Sequence, residues 1–114
     1  MAAHFSIGLD FGTNSARAII VNTATGEEIA TSVFDFPTGE KGIVLDAKNP
    51  DLARQHPADY LTATVEAITG ALKQAAGVAG FSPDQVIGIG VDTTGSTPLP
   101  VDKNGTPLAL LPEY

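Results

Sequence analysis

Phe5, Ile7, Leu9 and Phe11 alternate with Ser6, Gly8, Asp10 and Gly12, the period of a strand with one buried face. Ala16 to Val21 is almost continuously apolar and ends on β-branched Ile19, Ile20 and Val21, which predicts a more central strand. Thr23 to Glu27, holding Gly26, reads as a turn, and Ile29 to Phe36 as another strand. Connections this short predict an antiparallel meander. Residues 37–54, with Gly39, Gly42, Pro50 and scattered charges, read as a long loop with room for a short strand at Ile43-Val44-Leu45.

One clear helix follows. Pro57 suits the first turn, Asp59 sits near the positive end of the dipole, and Gly77 is placed for the C-cap. Leu61, Val65, Ile68 and Leu72 form an apolar stripe at helical spacing, and this stripe is the expected buried face. Gly70 inside it costs about 1 kcal/mol relative to Ala, so the helix depends on packing. Ser82 to Gln85 has the capping-box pattern of a single turn. Val86 to Val91 is then expected as a buried strand whose glycines admit a close neighbour. Leu99–Asp102 and Thr106–Leu110 flank Lys103-Asn104-Gly105, a hairpin signal, with Pro98 and Pro100 confining the leading strand to a sheet edge. The order β-β-β-α-β predicts a mixed α/β sheet with one face covered, the opening of a domain more than a whole one.

Composition narrows the class. The chain has 114 residues, no cysteine and a net charge of −7, and a compact domain of that length has a radius of gyration of roughly 13 Å. With Gly counted, about half the residues are apolar, which rules out a wholly disordered chain. The acidic balance disfavours nucleic acid and anionic membranes, which reward Lys and Arg. No apolar run approaches the ~18 residues of a membrane span, and the N-terminus lacks the basic-then-apolar pattern of a signal peptide. Absence of cysteine fits a reducing cytoplasm and removes thiolate metal sites. Charged residues make up only 17 %, against about 25 % for an ordinary domain, as if more protein covers part of the surface.

Candidate chemistry concentrates in Asp10-Phe11-Gly12-Thr13-Asn14-Ser15-Ala16-Arg17. Gly12 permits close backbone approach to an anion, turn amides form an anion-binding concavity, and Arg17 supplies a cationic fork. Thr13, Asn14 and Ser15 add short polar donors. Asp10 repels phosphate directly but can hold Mg²⁺ or its waters beside it. The same residues also build an ordinary β-turn. No Gly-Lys-Ser/Thr follows, so this is not a Walker loop. His4 and His56 are isolated and read as a tail residue and a helix-start residue, not metal ligands.

The turn, closing the first strand of a meander, resembles the first phosphate motif of the FGGY family of carbohydrate kinases. That family shares the ribonuclease H-like, actin-like ATPase fold. The run Ile87 to Gly105, with Asp92-Thr93-Thr94-Gly95-Ser96-Thr97-Pro98 at its centre, and Gln55-His56-Pro57-Ala58-Asp59-Tyr60 resemble the branch of the family that acts on pentuloses, L-ribulose above all. The resemblance implies ATP and Mg²⁺, with Asp10 near the metal and the transferred phosphate, and Gly12, Thr13, Asn14, Ser15 and Arg17 at the phosphate turn. It implies Thr94, Gly95 and Ser96 in the sugar pocket. Thr93, Thr94 and Thr97 are equally ordinary strand formers, and Asp92 an ordinary strand-end residue. The resemblance also implies that residues 1–114 are the N-terminal part of the first kinase domain, with the catalytic base and the second, nucleotide-binding domain farther along. The chain alone is then expected to be inactive and to self-associate through exposed strand edges. A non-catalytic protein-association module built on the same half-fold is the alternative of another class.

Overall fold

A computed structural model describes residues 3–95 and 97–113. Strands β1 (Phe5–Phe11), β2 (Ser15–Asn22) and β3 (Glu28–Asp35) form the expected antiparallel meander. After the loop, the helix α1 (Pro57–Ala75) returns the chain to a last strand, β6 (Val86–Thr93), parallel to β1. The sheet order is β3-β2-β1-β6. Within the loop, β4 (Val44–Leu45) pairs with β5 (Ala53–Arg54), a partner that the sequence reading did not include.

Side-chain alternation places the core. Phe5, Ile7, Leu9 and Phe11 of β1, with Ala16, Ala18 and Ile20 of β2, are buried beneath α1. The helix buries a different stripe from the one its large residues suggest. Ala63, Ala67, Ala71 and Ala75 are fully buried, whereas Leu61 and Val65 are 67 % and 63 % exposed. Small side chains at four-residue spacing let the helix settle close to the sheet. Gly70 belongs to this close approach, because a Cβ there would run into the side chain of Ser32 on β3. Ile68 and Leu72 flank the core and are partly buried.

His56 is the N-cap, and its Nδ1 accepts the Ala58 N–H at 3.1 Å. The C-cap is Ala76 in right-handed geometry, not Gly77, because backbone bonds to the carbonyls of Leu72 and Gln74 finish the last turn without a positive φ. At residues 82–85 the expected box appears: Gln85 Oε1 accepts the Ser82 N–H at 2.6 Å, opening one 3₁₀ turn.

Expectations for the last part of the chain fail in more than one way. Strand β6 is not buried: Ile87, Ile89 and Val91 are 64 %, 56 % and 64 % exposed, since α1 packs on β3 and β2, touches β1, and leaves β6 uncovered at the sheet edge. The radius of gyration is 17.0 Å, well above the compact value, and the molecule is elongated, with extents of 58 × 30 × 22 Å. The expected hairpin at residues 99–110 is also reduced. Its turn forms, with Gly105 at φ +80° and Asp102 Oδ1 accepting the Asn104 and Thr106 amides. The flanking strands, however, shrink to a single bridge between Val101 and Pro107, followed by a 3₁₀ turn at Leu108–Leu110. Pro100 and Pro107, one in each segment, remove donors a ladder needs. No helix among the described residues is long and apolar enough to cross a membrane.

Candidate functional site

The turn between β1 and β2 is unusual in how its polar groups are divided. Its carbonyls are all engaged inside the chain. Ser15 O accepts from the Gly12 amide at 2.8 Å, and Asn14 O from the Phe36 amide at 2.9 Å. Gln55, just before α1, donates from Nε2 to Gly12 O at 3.3 Å and Thr13 O at 2.8 Å. By contrast, the Thr13 and Asn14 amides donate to no acceptor among the described residues. Acceptors tied off and consecutive donors left over make a local surface suited to an anion. Gly12 is not at positive φ, and an added Cβ would meet only Ser15 O at 3.5 Å, an ordinary contact. The fold itself therefore does not require glycine there.

A second loop braces the turn from the other side. Glu40 and Ile43 exchange backbone hydrogen bonds at 2.9 and 3.0 Å, and the central residues Lys41 and Gly42 both have positive φ, 51° and 86°. This is a type I′ turn, in which Lys41 tolerates a left-handed conformation that costs an L-residue about 1–2 kcal/mol. Its carbonyl accepts the Asn14 side-chain amide at 2.7 Å. One N–H of the Asn14 carboxamide, which the sequence marked as a phosphate donor, thus serves the brace, and the backbone amide of the same residue has no acceptor among the described residues.

Asp10 and Arg17 are register partners on β1 and β2, exposed on the sheet face turned away from α1. Asp92 on β6 is the partner of Asp10 on its other side. These residues line a concavity of about 580 Å³. Like charges directly opposite one another are unfavourable without a cation between them. Two hard carboxylates one strand apart, with other positions left to water and phosphate oxygens, fit the requirements of Mg²⁺. Asp92 Oδ1 also accepts the adjacent Thr93 amide at 3.0 Å, as a strand-end residue does. Among the described residues no cluster of three or more His, Cys, Asp or Glu is placed to hold a metal without help.

On the α1 side, a cavity of about 1090 Å³ is lined by Thr13 of the turn, by Thr94 and Thr97 of the loop after β6, and by Gln55, Tyr60 and Arg54. The Thr97 hydroxyl lies 3.1 Å from the Thr94 hydroxyl and donates to Thr94 O at 3.2 Å and to Gly95 O at 3.3 Å, which draws the loop together. Gly95 has open space around its Cα. Ser96 lies outside the described residues. The structure therefore brings Thr13 and Thr94 to one cavity, and sets Asp10 and Arg17 on the opposite face, next to the same turn.

Comparison with known proteins decides the family. Residues 5–111 match the N-terminal domain of the FGGY family of carbohydrate kinases. The chain belongs to that family. It is 51 % identical to a ribulokinase of Vibrio parahaemolyticus over 95 % of its own length and 18 % of that protein's. It is 42 % identical to a ribulokinase of Geobacillus thermodenitrificans, with 100 % of the chain and 20 % of the relative covered. A ribulokinase of Mycolicibacterium smegmatis is 35 % identical over 99 % of the chain and 20 % of the relative. The chain thus spans about a fifth of the length of these relatives. Its α/β architecture is that of an FGGY N-terminal domain with the ribonuclease H-like, actin-like opening.

Within this FGGY domain, the residues that sequence reasoning missed are Gln55, Tyr60 and Lys41. They were visible only as part of a similar segment or as loop. Their contacts with the turn and with Phe11 join positions 27 to 49 residues apart, which no local pattern encodes.

Proposed function

We propose that the full-length protein containing this chain is an ATP-dependent pentulose kinase, a ribulokinase that forms L-ribulose 5-phosphate in L-arabinose catabolism. The observation that carries this reading is the turn at Gly12–Ser15, with its carbonyls engaged and the Thr13 and Asn14 amides left for an anion. It stands beside a cavity shared with the Thr94 loop, in a chain half-identical to a ribulokinase. In this reading the terminal sugar hydroxyl attacks the γ-phosphorus of ATP and the bond from that phosphorus to the bridging oxygen breaks. ADP leaves, and the hydroxyl proton passes to a base that lies outside these residues.

The chain's own part is to bind and orient. The Thr13 and Asn14 amides and Arg17 take phosphate charge, and Gly12 leaves room for it. Thr94, Gly95 and Ser96 seat the sugar. Asp10, with Asp92 beside it, would hold Mg²⁺ directly or through water, and the ion when bound supplies charge neutralisation at the phosphates. Phosphoryl transfer depends on all these groups being positioned together. The 114 residues alone are accordingly expected to give no turnover. ADP release from Mg·ATP with a panel of pentuloses and glycerol tests this, on the chain and on the full-length gene product. Activity confined to the long form and highest with L-ribulose is the expected result. Preference for D-xylulose would make it a xylulokinase, and inactivity of the long form on every sugar would favour a protein-association module.

The exposed outer edge of β6, with Ile89 and Val91, invites pairing with another chain. Taken alone, the 114 residues are expected to sediment as dimers or larger species, and Val91→Lys to shift them towards monomer. A clean monomer at high concentration would count against this.

A further inference from the structure

We propose that Gln55, oriented by Tyr60, is a positioning residue for phosphoryl transfer, an inference that rests on the phosphate-binding reading of the turn. A peptide unit is planar and trans, so its C=O and N–H point in opposite directions. Fixing the Gly12 carbonyl on Gln55 therefore fixes the Thr13 N–H on the opposite side, and fixing the Thr13 carbonyl does the same for the Asn14 N–H. Gln55 Nε2 makes both bonds, at 3.3 and 2.8 Å. One side chain thus sets the direction of both amides that lack an acceptor.

The clamp is itself held. The Tyr60 hydroxyl donates to Gln55 Oε1 at 2.8 Å, which dictates that the amide turns its nitrogen, not its oxygen, toward the turn. The Tyr60 ring has little freedom: it stacks on Phe11 with centroids 4.9 Å apart and on Phe36 at 5.2 Å. Phe11 and Phe36 are both buried. Phe11 precedes Gly12 directly, and the Phe36 amide holds the Asn14 carbonyl. The aromatic stack and the turn are therefore joined by packing and hydrogen bonds, and Gln55 is the polar link between them.

The test uses the full-length protein with Gln55→Leu, which keeps the bulk and removes both donors, and Tyr60→Phe, which keeps the stack and removes only the hydroxyl. Steady-state kinetics, calorimetric binding of Mg·ADP, and amide exchange across residues 12–15 are the readouts. Gln55→Leu is expected to lower kcat by about ten- to a hundredfold, with KM for the sugar within about twofold, weaker Mg·ADP binding and faster exchange in the turn. Tyr60→Phe should move each readout the same way, by about two- to tenfold in kcat. Wild-type kcat and Mg·ADP affinity in both variants would overturn the proposal, even with a lowered thermal midpoint, since a purely structural role would show only there. A wild-type protein that phosphorylates no sugar but still binds Mg·ADP would instead overturn the kinase reading, and the positioning role with it.

Discussion

Asp10→Asn in the full-length protein is expected to lower kcat by about a hundred- to thousandfold, the usual effect of removing one charge-stabilising group from a reaction centre. KM for the sugar should stay within about twofold. Asp10 is exposed at the end of β1, on the face opposite the core, so its replacement removes no packing and the folded state should be retained. The loss would therefore report on chemistry and not on folding. Asn keeps an oxygen for hydrogen bonding but lacks the negative charge that strengthens binding of a divalent cation. Asp92→Asn is the informative comparison. One of the Asp92 oxygens already accepts the Thr93 amide, so a smaller loss is expected. Steady-state kinetics over a range of Mg²⁺ concentrations checks both, and partial recovery of Asp10→Asn at high Mg²⁺ would fit weakened metal binding. An Asp10→Asn protein with more than a tenth of wild-type kcat would remove Asp10 from the phosphate site.

The sequence carried the β1 alternation, the β2 run and the meander because short-range patterns decide them. It carried the limits of α1 to within two residues at the C-terminal end, where a glycine suggested a cap that the backbone did not need. It misassigned the buried face of that helix. Leu61 and Val65 dominate any hydrophobic count, but four alanines at the contact allow the closest approach to β2 and β3. Strand β6 misled in the same way. Its Val and Ile residues look like a core strand, whereas burial depends on what lies above it, and α1 stops short. In the candidate site, the Asp10–Arg17 segment was legible because Gly, Asn and Ser cluster there. The braces were not. Gln55 and Lys41 reach the turn across 42 or 43 and 27 residues respectively, and only the fold brings them within hydrogen-bond distance.

Asp59 offers the second large effect, this time on stability. It is 4 % exposed, the one buried charged side chain among the described residues, and lies in the first turn of α1, where the dipole favours a carboxylate. Both its oxygens are used: Oδ2 accepts the Thr38 amide at 3.1 Å and Oδ1 the Thr38 hydroxyl at 2.6 Å. Asp59→Ala would leave both donors without their partner in a partly buried place, and each such group costs about 1–3 kcal/mol. A destabilisation of about 2–4 kcal/mol is therefore expected in chemical denaturation. Asp59→Asn retains one acceptor and should lose about half as much. Thr38→Val isolates the hydroxyl, and a double-mutant cycle with Asp59→Ala should return a coupling of about 1 kcal/mol or more. The effect should also reach the phosphate turn. Thr38 leads into the Glu40–Ile43 hairpin, whose Lys41 carbonyl holds Asn14, so releasing Thr38 loosens that brace and should speed exchange of the Phe36 amide, which is bonded to the Asn14 carbonyl. An Asp59→Ala protein within about 0.5 kcal/mol of wild type would mean that water replaces the carboxylate at Thr38 at little cost, and that the loop is held by the hairpin alone.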